Sequence, residues 1–261
     1  MNDTIQRLVA TTATVLLLAA TVGTGTVLAT PAVPATTVAP DPERASSGRC
    51  AAQWDAARGE PTVARLQAVG RCEIDRRLDT LANLQKAVDT SKVLTDAHEA
   101  ALEAVIASTR SGLTALRVEI DAATTVPALR EDLRRIAEEF RVYVLVGRQV
   151  RLVIGDDTVA AAVTKAEASA ARVRAAVDAA ETAGKDVAAS RAHLATMTKA
   201  IAAAAEAVEN DATAVLAQTP ARWNAGDAKP VLDAARASIR EARSSLRIAL
   251  REGRSAMADL R

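Results

Sequence analysis

The sequence predicts an all-α protein: an elongated antiparallel bundle of about six long helices that follows a signal peptide and a Pro/Thr-rich linker. Apolar residues recur at alternating steps of three and four through every long segment, which is the seam of helices packed in a bundle or coiled coil. Prolines after the linker fall only in breaks or first turns of these segments. An uncharged N-terminal run precedes the periodic part.

Residues 1–29 have the pattern of an export leader. The run from Leu8 to Leu28 carries no charge, and the small residues of a signal-peptidase site are supplied by Val27 and Ala29. An uncleaved anchor is the alternative, because about 20 uncharged residues can span a bilayer. Residues 30–48 hold four of the eight prolines and favour an extended linker. We therefore expect a secreted or cell-envelope-associated protein whose bundle domain spans 49–261.

The two cysteines, Cys50 and Cys72, are expected to form a disulfide, since an even count in an exported chain favours pairing. Gly59-Glu60-Pro61 ends one helix and starts the next, so two antiparallel flanks would bring the sulfur atoms together. The bond would staple a short first helix onto the body. A redox pair or a metal site is the alternative, and neither CxxC spacing nor clustered histidines support it.

Between the joints, the periodicity predicts helices of about 40–48 Å. Their approximate limits are Pro61 to Val88, Thr95 to Ala122, Pro127 to Ile154, Asp156 or Asp157 to Ala180, Asp186 to Val215, and Leu232 to Leu260. The β-branched stretch 140–154 could instead be a hairpin around Gly147. We predict helix there, because the three-four spacing continues through it.

Six arginines flank the seam of the last helix: Arg236, Arg240, Arg243, Arg247, Arg251 and Arg254. Such a stripe could bind nucleic acid, anionic lipid or acidic wall polymers. The favoured interpretation is that their stems cover the core edge while the guanidinium groups pair with carboxylates of neighbouring helices. The candidate carboxylates are Glu206, Glu209, Asp211, Glu138 and Glu139. A balance of 33 basic against 32 acidic residues disfavours nucleic acid as a partner.

No catalytic, cofactor or metal motif is found, so we expect a protein that is not an enzyme and has no cofactor. The adjacent pair Asp156-Asp157 lies where a helix cap belongs. His98 and His193 stand alone and are expected at helix edges or exposed. Aromatic residues are too scarce for a sugar-binding groove or a base-stacking platform. We expect Trp223 to cover one end of the bundle.

Several short segments carry a resemblance to known proteins. They are Leu94-Thr95-Asp96-Ala97, the stretch 140–145, the turn Ala183-Gly184-Lys185-Asp186, Thr219-Pro220-Ala221 before Asn224, and Ala-Ala-Arg and Glu-Ala-Arg units in the last helix. Together they resemble a group of exported all-helical proteins of actinobacteria and other bacteria, over about Cys50 to Arg261. That group has no established function, so the resemblance implies export and a helical body and transfers no site.

These observations predict a non-enzymatic exported bundle that acts as a structural spacer or a protein-interaction module at the cell envelope, with an unknown protein partner. The alternative is a lipid- or membrane-surface-associated protein, whose amphipathic helices open onto a membrane as those of exchangeable apolipoproteins do. The arginine stripe is the one feature of the sequence that could carry binding.

Overall fold

A computed structural model describes residues 48–261 of the chain, and within this range every regular element is helical, which confirms the all-α class. The helices are α1 (Ala51–Gly59), α2 (Val63–Asp89), α3 (Asp96–Ala122), α4 (Val126–Glu138), α5 (Gly147–Thr182), α6 (Ala188–Ala207), α7 (Asp211–Leu216), α8 (Pro220–Ala225) and α9 (Ala228–Ala258), with a π-helical turn at Val142–Val146. The predicted leader, 1–29, and the predicted linker up to residue 47 lie outside the described residues.

Threonine caps set where four of the helices begin. The hydroxyl oxygens of Thr62, Thr95, Thr125 and Thr219 each accept a hydrogen bond from the backbone N–H three residues later. Such a bond satisfies one of the donors that a helix start leaves without a partner. The predicted starts near Pro61, Thr95 and Pro127 are therefore confirmed to within two residues.

The buried apolar side chains form two clusters. The first cluster contains residues of the four helices α1, α2, α3 and α4, of the π-helical turn, of α7, and of the beginnings of α5 and α9. The second joins the remainder of α5 and α9 to α6. Two long helices, α5 and α9, thus contribute to both clusters. Among the described residues, no helix is long and apolar enough to cross a membrane.

The stretch 140–154 is neither one continuous helix nor a hairpin. Helix α4 ends at Glu138, Arg141 adopts a left-handed conformation (φ 43°), and a π-helical turn leads into α5. Asn224 holds this break from a distance, because its amide donates to the Glu138 carbonyl (3.0 Å) and its side-chain oxygen accepts from Arg141 (2.7 Å). The predicted helix from Pro127 to Ile154 is therefore interrupted after Glu138, whereas residues 142–154 are helical as expected, first as a π-helical turn and then as the start of α5.

Helix α5 passes without interruption through Gly155, where the sequence predicts a joint. A Cβ at Gly155 would approach Ile239 Cδ1 to 3.2 Å. The glycine therefore allows α9 to pack closely rather than ending a helix. The prediction that Asp156 or Asp157 caps a new helix is wrong, since both are buried inside α5.

The predicted helix from Asp186 to Val215 is also divided. Helix α6 ends at Ala207, and Asn210 adopts a left-handed conformation (φ 67°) before α7 begins at Asp211. Asparagine tolerates this conformation better than most residues. The apolar period continues through Val208 and Val215, which are both buried, so periodicity alone could not reveal the break.

The predicted N-terminal staple is present. Cys50 and Cys72 are bonded, with Cα atoms 5.8 Å apart. Trp54 lies one turn after Cys50 and donates from its indole Nε1 to Glu73 Oε1 at 3.0 Å. The Arg65 guanidinium donates to the carbonyls of Ala56 (3.3 Å) and Glu60 (3.1 Å), where α1 ends. Bonds at both ends therefore fix this short helix, of which Ala57 is the one buried residue.

We expect the double variant Cys50→Ser/Cys72→Ser to lose about 3 kcal/mol of unfolding free energy, because the bond restricts the unfolded chain over 22 residues. Urea denaturation of the variant and of the oxidised protein measures the loss. Trypsin should also cleave faster at Arg58, which lies on the freed helix. Equal midpoints and equal cleavage rates would contradict the staple.

We expect Ala204→Leu to destabilise the protein more than Gly184→Ala does. Ala204 is fully buried in the second cluster, and overpacking such a site costs about 1–3 kcal/mol. Gly184 has open space around its Cα but a φ of +79°, so a Cβ there costs around 1 kcal/mol in backbone strain. Thermal melting compares the two variants, and equal melting temperatures would argue against a tight contact at Ala204.

Candidate interaction surface

All six arginines of the predicted stripe are exposed on α9. We call this set, Arg236, Arg240, Arg243, Arg247, Arg251 and Arg254, the arginine face. The seam beside it is buried, with Ile239, Ala242 and Ala249 in the second cluster. The arginines lie at one flank of the seam, because each follows a seam position by one, two or four residues. The six arginines therefore lie on the solvent-exposed side of α9, and their role in binding stays a prediction.

The predicted pairing of these arginines is wrong. Within residues 48–261, none of the six forms an ion pair with a neighbouring helix, and Arg251 contacts only Glu252, on its own helix, at 3.1 Å. None of the acidic residues expected as partners forms an ion pair with these six arginines in the described part of the chain. Glu138 pairs with Arg134, and Glu139 pairs with Arg135 on α4. The guanidinium groups of the arginine face therefore point to solvent.

Three exposed apolar side chains adjoin the arginine face, and Ile248, at 36% exposure, is the least exposed of them. Leu250 is 56% exposed and Met257 is 41% exposed. Leu250 lies three residues after Arg247 and four before Arg254, so these side chains are neighbours on the helix surface. Met257 lies two turns further along the same side. The face is thus a basic surface with a small apolar part.

On the opposite flank of α9, acidic side chains contact a histidine of α6. His193 Nδ1 lies 2.7 Å from Glu252 Oε2, and His193 Nε2 lies 3.6 Å from Asp259 Oδ2. The hydrogen bond from His193, together with that from Arg251, lowers the pKa of Glu252. His193 is therefore a partly exposed residue that ties two helices together, as its predicted edge position allows.

Asp157 caps a helix other than its own. Its carboxylate accepts from the backbone N–H of Thr95 (2.9 Å) and lies 2.9 Å from His98 Nδ1, at the start of α3. Negative charge at a helix N-terminus is favourable because of the unsatisfied N–H groups there. The predicted cap is therefore wrong: Asp157 lies inside α5 and contacts the start of α3, which Thr95 caps.

Asp156 is a buried carboxylate with an incomplete set of hydrogen bonds. It is 7% exposed, and its Oδ1 atom has no hydrogen-bond partner. Burial, followed by the negative charges of Asp211 and Asp157, raises its pKa to about 6. Asp211 also has a buried oxygen, Oδ2, without a partner. This buried acidic layer lies where α5 passes from the first cluster to the second.

The raised pKa allows Asp156 to take up a proton near pH 6. Within residues 48–261, no group of three or more histidine, cysteine or acidic side chains has an arrangement that could hold a metal ion. Asp157 is already occupied by Thr95 and His98. Of the pair Asp156-Asp157, Asp156 is the residue whose raised pKa makes stability depend on pH.

A groove that the sequence did not predict lies between α1 and α4. Its volume is about 510 Å³, and its lining combines Trp54, Ala57, Pro61, Leu66 and Leu133 with the arginines Arg58, Arg130 and Arg134. The lining comes from α1, α2, α4 and the joint before α2. No local pattern brings these residues together, because the groove exists only where α1, held by the disulfide and by the contacts of Trp54 and Arg65, packs beside α2 and α4.

Trp223, which we expected to cover one end of the bundle, packs partly buried against the first cluster. The Arg148 guanidinium lies 5.9 Å from the centre of its ring.

Comparison of the chain with models of protein families, with curated proteins and with solved structures finds no match.

We expect Asp156→Asn to stabilise the protein at pH 7.5 and to have little effect near pH 4. The pKa of Asp156 is higher in the folded chain than the usual 3.8. The folded state therefore binds the proton more tightly, and its stability falls as pH rises from about 4 through 6. Above that window the ionised group costs on the order of 1–3 kcal/mol, which the amide avoids.

Urea denaturation at pH 4, 5.5 and 7.5 measures this difference. Asp157→Asn is the matched control, because loss of that carboxylate weakens the contacts with Thr95 and His98 and should destabilise the protein at pH 7.5. A difference between Asp156→Asn and the parent that does not change with pH would show that Asp156 has an ordinary pKa.

Proposed function

We propose that this protein is a non-enzymatic, exported interaction module at the cell envelope, and that its arginine face binds an acidic protein partner. The observation that carries the proposal is the state of that face: six exposed guanidinium groups along α9, none paired with a neighbouring helix within the described chain. A row of like charges repels itself, and an acidic partner would relieve this repulsion.

The chemistry of the face favours carboxylates. A guanidinium group presents a planar fork of donors that matches a carboxylate in two parallel hydrogen bonds. Leu250 and Met257 add apolar area next to Arg247 and Arg254, as protein interfaces combine apolar and basic contacts. An acidic segment with an apolar side chain would therefore complement this surface.

The long helices support the further role of a spacer. Helix α5 has 36 residues, about 54 Å at the usual rise, and both α5 and α9 contribute to the two clusters. An antiparallel bundle built around them would separate an attachment point from the arginine face. The bonded cysteine pair is compatible with the oxidising environment outside the cytoplasm.

Association with a lipid surface is the second candidate. The exposed Leu250 and Met257 beside arginines favour it, since interfacial helices combine apolar and basic residues. The wide apolar seam of α9, however, is already buried in both clusters. Deep insertion would require the helices to separate, so a protein partner is the better match for the folded state.

We expect Arg243→Gln/Arg247→Gln/Arg254→Gln to abolish salt-sensitive association with the envelope fraction and to leave the melting temperature unchanged. The matched control is Arg110→Gln/Arg172→Gln/Arg174→Gln, which removes the same charge from exposed positions on α3 and α5. Cosedimentation at low and high salt measures association. Poly-L-glutamate, anionic vesicles and neutral vesicles serve as probes of partner chemistry.

Binding of the parent protein to poly-L-glutamate, lost in the first variant and kept in the second, supports the proposal. Binding to anionic vesicles alone would transfer support to the lipid candidate. If both variants bind the envelope as the parent does, the arginine face is not the contact surface. A lower melting temperature for the first variant alone would instead indicate that its arginines are engaged within the bundle.

A further inference from the structure

The groove between α1 and α4 is a second surface, distinct from the arginine face on α9. Its floor is Leu66 of α2, which is buried, and its walls are Trp54 and Ala57 of α1 and Leu133 of α4. Apolar side chains thus line the inner surface, and arginines lie at the rim. A volume of about 510 Å³ is within the range of roughly 300–1,000 Å³ that small-molecule sites occupy.

The walls of the groove are fixed in place. The disulfide between Cys50 and Cys72 and the bond from Trp54 to Glu73 hold α1 against α2. Glu73 is itself buried and bonded to Arg77, and the pKa of Glu73 is lowered by its hydrogen bonds to Trp54 and Arg77 despite the opposing effect of burial. The indole ring is therefore oriented before any ligand arrives, which reduces the entropy lost on binding.

The three rim arginines differ in how their charge is compensated. Arg58 pairs with Asp55 on its own helix, and Arg134 pairs with Glu131 and Glu138. Arg130 forms no ion pair with any residue from 48 to 261, and its own helix places no acidic residue three or four positions away. The groove therefore presents one uncompensated positive charge next to an apolar surface.

We propose that this groove binds a single-chain amphiphile that carries one singly charged anionic head group, a carboxylate or a sulfate. The alkyl chain would cover Leu66, Leu133 and the Trp54 ring, and the head group would pair with Arg130. A single free guanidinium matches a single negative charge. A more highly charged ligand would also meet the carboxylates that already hold Arg58 and Arg134.

Trp54 fluorescence tests this proposal in the mature chain with its disulfide intact. Trp223→Phe removes the only other tryptophan and defines the parent protein for the titrations. Decanoate and decyl sulfate, below their micelle concentrations, are the two singly charged anionic probes, and their relative affinities distinguish the head groups. Decan-1-ol and decyltrimethylammonium have the same chain with a neutral or a positive head.

We expect saturable binding of at least one anionic probe, and at least tenfold weaker binding of decyltrimethylammonium. Arg130→Gln should weaken the binding of that anionic probe by about tenfold and leave decan-1-ol binding unchanged, because a charge-assisted hydrogen bond is lost while the apolar contacts remain. Arg110→Gln is the matched control, since Arg110 is an exposed arginine on α3 outside the groove. Reduction of the disulfide should weaken every probe.

Three results would overturn the proposal. The first is the absence of a saturable change in Trp54 fluorescence with either anionic probe. The second is equal binding of the cationic and anionic chains, which would make the groove an apolar cleft without head-group recognition. The third is an equal effect of Arg130→Gln and Arg110→Gln, which would reduce the role of Arg130 to general electrostatics.

Discussion

The structure depends on the continuity of α5 between its two hydrophobic clusters. This helix carries Val150 and Val153 into the first cluster and Val159 and Val163 into the second, so neither cluster forms without ordering the chain that serves the other. Gly155 makes this possible, because the absence of a side chain lets Ile239 of α9 pack against the helix at the junction. Glycine commonly ends helices, but at this position it allows α5 and α9 to pack closely.

Because α5 is continuous at this junction, it buries carboxylates there, which costs electrostatic free energy. Two aspartates that would be exposed at a helix start become buried inside α5. Asp157 is compensated because it caps α3 through Thr95 and contacts His98, whereas one oxygen of Asp156 has no partner and faces the charge of Asp211. The acidic layer therefore weakens the junction near neutral pH while packing on both sides maintains it. The arginine face and the groove lie on parts of the chain that this junction connects.

Local signals in the sequence were sufficient where local interactions decide the structure. Threonine caps and helix-starting prolines located α2, α3 and α4, and the cysteine spacing predicted the staple. The break after Glu138 was missed because Asn224, which is distant in sequence, holds it. The arginine face was placed correctly, but its pairing was not, since which carboxylate reaches which arginine depends on how the helices are positioned. The groove gave no sequence signal, because three helices and a disulfide assemble it.

Native-state hydrogen exchange of the backbone amides from Ile154 to Thr158 tests the continuity of α5 most directly. If the helix is uninterrupted, these amides should exchange as slowly as those of Val150 and Val163, because all belong to one cooperative unit that opens together. Protection should also increase between pH 7.5 and pH 5, after correction for intrinsic rates, as Asp156 takes up its proton. Rapid exchange confined to residues 154–158 would indicate a joint between two separate helices and contradict the account.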